Sequence, residues 1–254
     1  MAKGAPDTPA IVKMDAVLEF LKNMGPSRFT DIYKNLDISK SSLYSLIKTM
    51  ERLGYLRGGL DGTYNLGFRL YELGNSAVSH INLRKECVPF LYELRSLTGL
   101  TCHLGVLDGY DAIYLLKLES PDTVKVRTWE GLRLSLHSAA LGKALLMDHD
   151  DAALSALYPE ETLAGFTPST IGSVQQLKAE LALSRRRGWA FDDGEHYEDL
   201  RCVAAPIRNV DGKIVAAVSV VGAASRIPDD RIGDLAKETV RICGSISARL
   251  GYKG

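Results

Sequence analysis

Apolar residues recur at helical spacing through the N-terminal third of the chain and then change to alternation, so the hydrophobic period alone divides the sequence. Ile11, Met14, Val17, Leu18 and Leu21 form one stripe ended by Gly25-Pro26, which predicts a helix over about 9–23. Phe29, Ile32, Tyr33 and Leu36 continue the spacing until Asp37 breaks it. Ser39 then stands at an N-cap position before Leu43, Leu46, Ile47, Met50 and Leu53. The opposite face of that helix carries Lys40, Ser41, Ser42, Tyr44, Ser45, Lys48, Thr49 and Arg52, short polar and cationic side chains suited to phosphates and base edges.

Two short apolar runs follow, Tyr55-Leu56-Arg57 and Thr63 to Leu66, separated by Gly58-Gly59-Leu60-Asp61-Gly62. Glycine-rich and Asp-Gly signals between such runs predict a hairpin, and helix, turn, helix and hairpin together make a winged helix-turn-helix. Between residues 28 and 57, six cations (Arg28, Lys34, Lys40, Lys48, Arg52, Arg57) face three carboxylates (Asp31, Asp37, Glu51), so the basic surplus is local. A small helical protein-interaction module is the alternative for this segment.

Beyond the wing, Phe68, Leu70, Tyr71, Leu73, Ala77, Val78 and Ile81 predict a linker helix through Gly67 and Gly74, glycines that weaken it. A further helix spans 84–97. Strand-like runs at 101–107, 112–118 and 124–127 come next, the first two joined as a hairpin at Asp108-Gly109. Helices are predicted over 138–147, 150–157 and 173–187, then strands over 189–192, 201–208 and 214–221. Ile232, Leu235, Ala236, Thr239, Cys243, Ile246 and Leu250 line a terminal helix. The pattern is α+β, with an antiparallel sheet flanked by helices. It gives a winged helix-turn-helix domain over 1–66, the linker helix over 67–81, and a second domain over 82–254.

Composition narrows the function classes. The chain has 254 residues, 46% of them apolar, and a formal net charge of zero, which excludes a charge-only nucleic-acid binder and leaves room for a local DNA-reading patch. Cys87, Cys102, Cys202 and Cys243 lie far apart with no C-x-x-C spacing, so no zinc knuckle, metal site or disulfide scaffold is expected. The start of the chain lacks an apolar signal core and no run is long enough to span a membrane, which predicts a cytoplasmic protein without membrane partners. Gly142-Lys143-Ala144 lacks the glycine and hydroxyl of a P-loop, and no cofactor is expected.

Four separated segments resemble the IclR family of bacterial transcriptional regulators, in order and over essentially the whole chain. They are Ser39-Lys40-Ser41-Ser42-Leu43-Tyr44 with Leu53-Gly54-Tyr55-Leu56, Tyr64-Asn65-Leu66-Gly67, His137-Ser138-Ala139-Ala140-Leu141-Gly142-Lys143-Ala144, and Arg201-Cys202-Val203-Ala204-Ala205-Pro206. The resemblance implies DNA binding through Lys40, Ser41, Ser42, Tyr44, Ser45, Lys48, Thr49 and the wing residue Arg57. It also implies a dimerising linker helix and a GAF-like C-terminal domain that binds a small effector. Ser45 stands where many family members have arginine, so the base sequence it reads is expected to differ.

Ser138 before Ala139, Ala140, Leu141 and Gly142 has the form of an N-cap followed by accessible backbone N–H groups, an anion site, though small residues also permit close helix–sheet packing. The acidic run after Trp189 either accepts ligand hydroxyls or forms a solvated turn. By resemblance, the effector cavity is lined by Asp192, Cys202 and Ser219, with Leu134 and Leu200 as apolar wall and Ala140 and Leu141 at the anion end. Val221 falls where some family members have serine, which makes that side less polar. The expected partners are a palindromic double-stranded operator, a small organic acid (a sugar acid by weaker resemblance), and further copies of the chain as a homodimer or dimer of dimers. The expected role is a repressor.

Two catalytic pairings, Cys202 with His196 and Ser138 with His137, lack any recognised nucleophile setting. They belong to the alternative, a small-molecule sensor or metabolic enzyme whose N-terminal domain contacts a protein. Along the strand at Thr101-Cys102-His103, alternation sends Cys102 and His103 to opposite faces, against a shared metal.

Overall fold

The computed structural model of the chain describes residues 8–79, 83–121 and 126–253. Its contacts separate into two compact units, Met1–Asn82 and Leu83–Gly254.

In the first unit α1 (Pro9–Met24), α2 (Phe29–Asn35) and α3 (Lys40–Arg52) bury Val17, Leu21, Ile32, Ile38, Leu43, Ile47 and Met50 in one core. Apart from Ile38, which lies between α2 and α3, these belong to the stripes that the helical spacing marks, while Ile11, Tyr33 and Leu53 of those stripes are exposed. Ser39 precedes α3 as expected, but its side chain makes no capping bond. A two-residue strand β1 (Ser27–Arg28) joins β2 (Leu56–Gly58) and β3 (Thr63–Leu66) in an antiparallel sheet of order β1-β3-β2. The Asp61 carboxylate holds the hairpin turn by accepting from the Thr63 N–H at 3.2 Å and hydroxyl at 2.7 Å.

Gly67 has a different reason to be glycine than helix propensity suggests. Its N–H donates to the Tyr55 carbonyl at 2.8 Å, and a Cβ there would overlap the Gly54 carbonyl, so only glycine lets the chain leave the wing at this approach. Helix α4 (Phe68–Ser79) follows. The expected end of this helix at Ile81 lies outside the described residues.

The second unit is a six-stranded antiparallel sheet of order β6-β5-β4-β9-β8-β7. Its strands are β4 (Thr101–Asp108), β5 (Asp111–Leu118), β6 (Arg133–Ser135), β7 (Ala190–Asp193), β8 (Leu200–Arg208) and β9 (Ile214–Ala223). One face packs Cys102, Leu104, Val203, Ala205, Val218 and Val220 against α5 (Leu83–Thr98) and the terminal helix α9 (Asp229–Arg249). The other packs Ala112, Tyr114, Ala190, Ala204 and Ala217 against α6 (Ala140–Leu145) and α8 (Val174–Arg187), with α7 (Asp151–Leu157) beside α8. Alanines on this second face keep the helices close and leave polar neighbours in the same rows enclosed. Ser173 caps α8 and Gly188 ends it in a left-handed conformation, as the sequence predicts.

Two expectations are corrected. No strand contains Val126 or Arg127, while Val124 and Lys125 lie outside the described residues. The Lys117 ammonium donates to the carbonyls of Val126 and Thr128 at 2.9 and 2.8 Å, so a side chain satisfies this stretch, and β6 pairs with β5 instead. Nor does Ser138 cap a helix. Helix α6 starts at Ala140 with Ala139 extended before it, and the buried Ser138 hydroxyl lies 2.8 Å from His196 Nδ1. A tertiary partner has taken the hydroxyl that a local cap would have used.

Candidate functional site

In α3 the side chains of Leu43, Ile47 and Met50 point into the core, which turns Lys40, Ser41, Tyr44, Ser45, Lys48 and Thr49 to solvent. Tyr44 is 58% exposed, a large aromatic ring with no core to fill. The polar arc has two sides. Ser42, half-buried, accepts from Lys13 Nζ at 3.3 Å and shares with Ser45, Thr49 and the start of α1 a groove of about 610 Å³. Lys48 instead pairs with Glu51 at 2.9 Å and lies 6.0 Å from the ring of Tyr64 on the wing. Arg57 is exposed on β2, its guanidinium 5.2 Å from the Phe68 ring.

The polar residues of the second unit gather on the sheet face under α6. Asp192, Cys202 and Val221 lie in one row across β7, β8 and β9. Ser219 lies in the neighbouring row, between Ala204 and His103. Leu134 is buried on β6, and Leu200, at the start of β8, lines a cavity of about 390 Å³ with Val126, Arg127 and Tyr197. Ala140 and Leu141 are buried in the first turn of α6. The first bond within that helix runs from Lys143 N–H to the Ala139 carbonyl, so the N–H groups of residues 140–142 have no acceptor in the helix. Close packing accounts for one small residue, since a Cβ at Gly142 would come 2.5 Å from the Leu136 backbone.

Burial pushes the Asp192 carboxyl up to about 7, against the hydrogen bond from Glu195 N–H at 2.7 Å and the nearby Lys143 charge. The Cys202 thiol donates to it and is itself raised by burial and by that carboxylate, which leaves it a weak nucleophile. Glu195 closes a 2.5 Å ion pair with Lys143, whose side chain is wholly buried in α6. This pair ties α6 to the turn after β7.

Sequence reasoning passed over Lys143 and Glu195 as site residues. His103 and Tyr114 lie on this face as well, His103 where alternation along β4 already places it.

Neither expected catalytic pairing is assembled. His137 binds the Ser135 hydroxyl through Nδ1 and the Ala164 carbonyl through Nε2, each at 2.8 Å, while His196 takes Ser138. Burial lowers both imidazoles and favours their neutral forms.

Two family models match the chain. Residues 10–58 match the IclR helix-turn-helix domain, and residues 75–248 match the C-terminal domain of the bacterial transcriptional regulator IclR. The chain belongs to the IclR family. It is 38% identical over 245 residues to the uncharacterized HTH-type transcriptional regulator RhmR of Escherichia coli, covering 96% of this chain and 94% of that one. It is 30% identical to the HTH-type transcriptional repressor AllR of Escherichia coli, over 94% of this chain and 89% of that one. The fold is that of an IclR homologue from Microbacterium hydrocarbonoxydans solved with 4-hydroxybenzoate, with TM-score 0.84, 22% identity, and coverage of 95% of this chain and 98% of that one. As an IclR-family chain it is an HTH-type transcriptional regulator, and its first unit is the DNA-binding one. Among the described residues no helix is long and apolar enough to cross a membrane.

Proposed function

We propose that this IclR-family regulator is a cytoplasmic repressor, not an enzyme, released from a palindromic operator by a small hydroxylated organic acid. The observation that carries the effector half is the polar set on the sheet: buried Asp192 and Ser219 and half-buried Cys202 lie among alanines beneath a helix whose first N–H groups lack acceptors within it. The acid's negative end goes to the N–H groups of Ala140 and Leu141. Its hydroxyls go to Asp192 and Ser219, and Leu134, Leu200 and Val221 supply apolar wall. Two solved or curated relatives support parts of this: the Microbacterium homologue holds a small carboxylate, and AllR is a repressor.

Exposed apolar side chains in the first unit, among them Ile11, Phe68 and Tyr71, support a homodimer or dimer of dimers, whose paired reading helices demand an inverted repeat. Effector and operator binding are then linked: an acid that binds two arrangements of the dimer unequally shifts DNA affinity by that inequality.

The reading face is tested by equilibrium binding to operator DNA at several salt concentrations. Lys40→Ala is expected to weaken all sequences alike and to flatten the salt slope by about one unit. Lys48→Ala should do less, because Glu51 already neutralises part of its charge. Tyr44→Ala and Ser45→Ala should change base preference with the slope kept. Parent-like binding by all four variants would remove α3 from the DNA interface.

A further inference from the structure

The imidazole of His103 is a fully buried polar group that the site described above leaves unused. The residue has no solvent exposure, its Nε2 lies 2.7 Å from the Thr128 hydroxyl, and its Nδ1 is buried without a hydrogen-bond partner among the described residues. Leaving a ring nitrogen unpaired in a packed interior costs free energy that an apolar side chain of that size would not, so such an atom calls for an explanation. The ring is fixed in place. It stacks on Tyr114 at 4.1 Å and 16°, and strand register sets it beside Ser219 on the face that carries Asp192 and Cys202. The phenol of Tyr114, which has no hydrogen-bond partner among the described residues, is pushed up by burial and belongs to the same apolar cluster as Cys202.

We propose that His103 is a specificity-determining residue of the effector site, its Nδ1 pairing with a hydroxyl of the acid remote from the carboxylate. This deepens the reading of the ligand as a hydroxylated acid, and rests on it. The added content is chain length and hydroxyl pattern. Asp192 on β7 and His103 on β4 are separated by β8 and β9, three strand spacings of about 4.8 Å, or roughly 14 Å between backbones. A two-carbon acid reaches only one of these two residues, whereas a polyhydroxylated chain acid has hydroxyls for both.

Burial and the Lys117 ammonium push the imidazole down to about 3, so at neutral pH it carries one N–H and one lone pair. The Thr128 hydroxyl rotates to serve either tautomer, and Nδ1 then accepts or donates accordingly. A ligand hydroxyl matches both states, while a carboxylate or a methyl group does not.

The test is calorimetry on the full-length chain with three probes: gluconate, hexanoate of equal length without hydroxyls, and glycolate. The parent is expected to prefer gluconate over both. His103→Leu should reduce gluconate affinity by about tenfold to a hundredfold while changing hexanoate far less, and His103→Gln, which keeps a donor and an acceptor, should recover part of the loss. Thermal unfolding checks that each variant folds. Should His103→Leu fail to fold, Thr128→Val carries the test, since freeing the ring should also erode the preference. A gluconate-to-hexanoate ratio unchanged in His103→Leu, or in Thr128→Val if that variant must serve, overturns the role of His103 and leaves the acid reading standing. Tight binding of glycolate alone overturns the chain length. A parent that binds none of the three overturns the acid reading and this inference with it.

Discussion

Replacing Glu195 with alanine is expected to destabilise the C-terminal unit by about 3–5 kcal/mol, the usual cost of leaving one member of a buried ion pair without its partner. Lys143 is the stranded group. Its side chain has no exposure, and its ammonium has the Glu195 carboxylate at 2.5 Å as its hydrogen-bond partner. Near the midpoint of unfolding, a domain of this size loses about 2–4 °C per kcal/mol, so the melting temperature should fall by roughly 10 °C. Replacing both members, Lys143→Met with Glu195→Leu, should recover most of that loss, because well-packed apolar residues replace such pairs at little cost. Calorimetric melting of the single and double variants checks this. A Glu195→Ala protein that melts with the parent would show that the pair holds nothing together.

Asp192→Asn should have the opposite effect on stability, and only at the alkaline end. The carboxyl is raised from about 3.8 to about 7 in the folded chain, so between those values the folded protein holds a proton that the unfolded chain has released. Stability from this group is therefore greatest below the unfolded value, falls as pH rises through the window, and levels off above about 7. Integrated from pH 5 to pH 8, the parent loses about 2–3 kcal/mol that an asparagine does not. The melting temperature of Asp192→Asn should accordingly rise relative to the parent across that range, by roughly 5–10 °C. Effector affinity should fall by about tenfold or more, because the amide can no longer become the charged acceptor that the acid's hydroxyls meet. A gap between variant and parent that stays constant from pH 5 to pH 8 would contradict the raised carboxyl. Burying an acid that the fold would be better without is the kind of cost that binding sites carry.

Most elements were legible because their hydrophobic periods are clean: Leu43, Ile47 and Met50 in α3, the alternating burial of β5, and the capped ends of α8 each carry their own signal. The strand expected at 124–127 and the cap expected of Ser138 misled because tertiary partners, Lys117 and His196, took up groups that local rules would have used. Asp192 stands in the sequence as a candidate ligand residue, but its protonation depends on burial, which no single segment encodes. Lys143 looked like an ordinary helical lysine, its partner lying 52 positions away across a turn. The unpaired nitrogen of His103 is equally invisible in sequence: alternation gives its face, whereas only packing shows that nothing answers Nδ1.

The proposed linkage between effector and operator binding is tested most directly by titrating labelled operator DNA with the protein, at fixed salt, with and without a saturating polyhydroxylated acid. The account predicts that the acid weakens operator binding by about 5- to 150-fold, the span of ordinary coupling energies, and that Ala140→Asp, which sets a carboxylate where the acid's own must sit, binds operator but no longer responds. Operator affinity that stays the same while calorimetry shows the acid bound to the parent would contradict it.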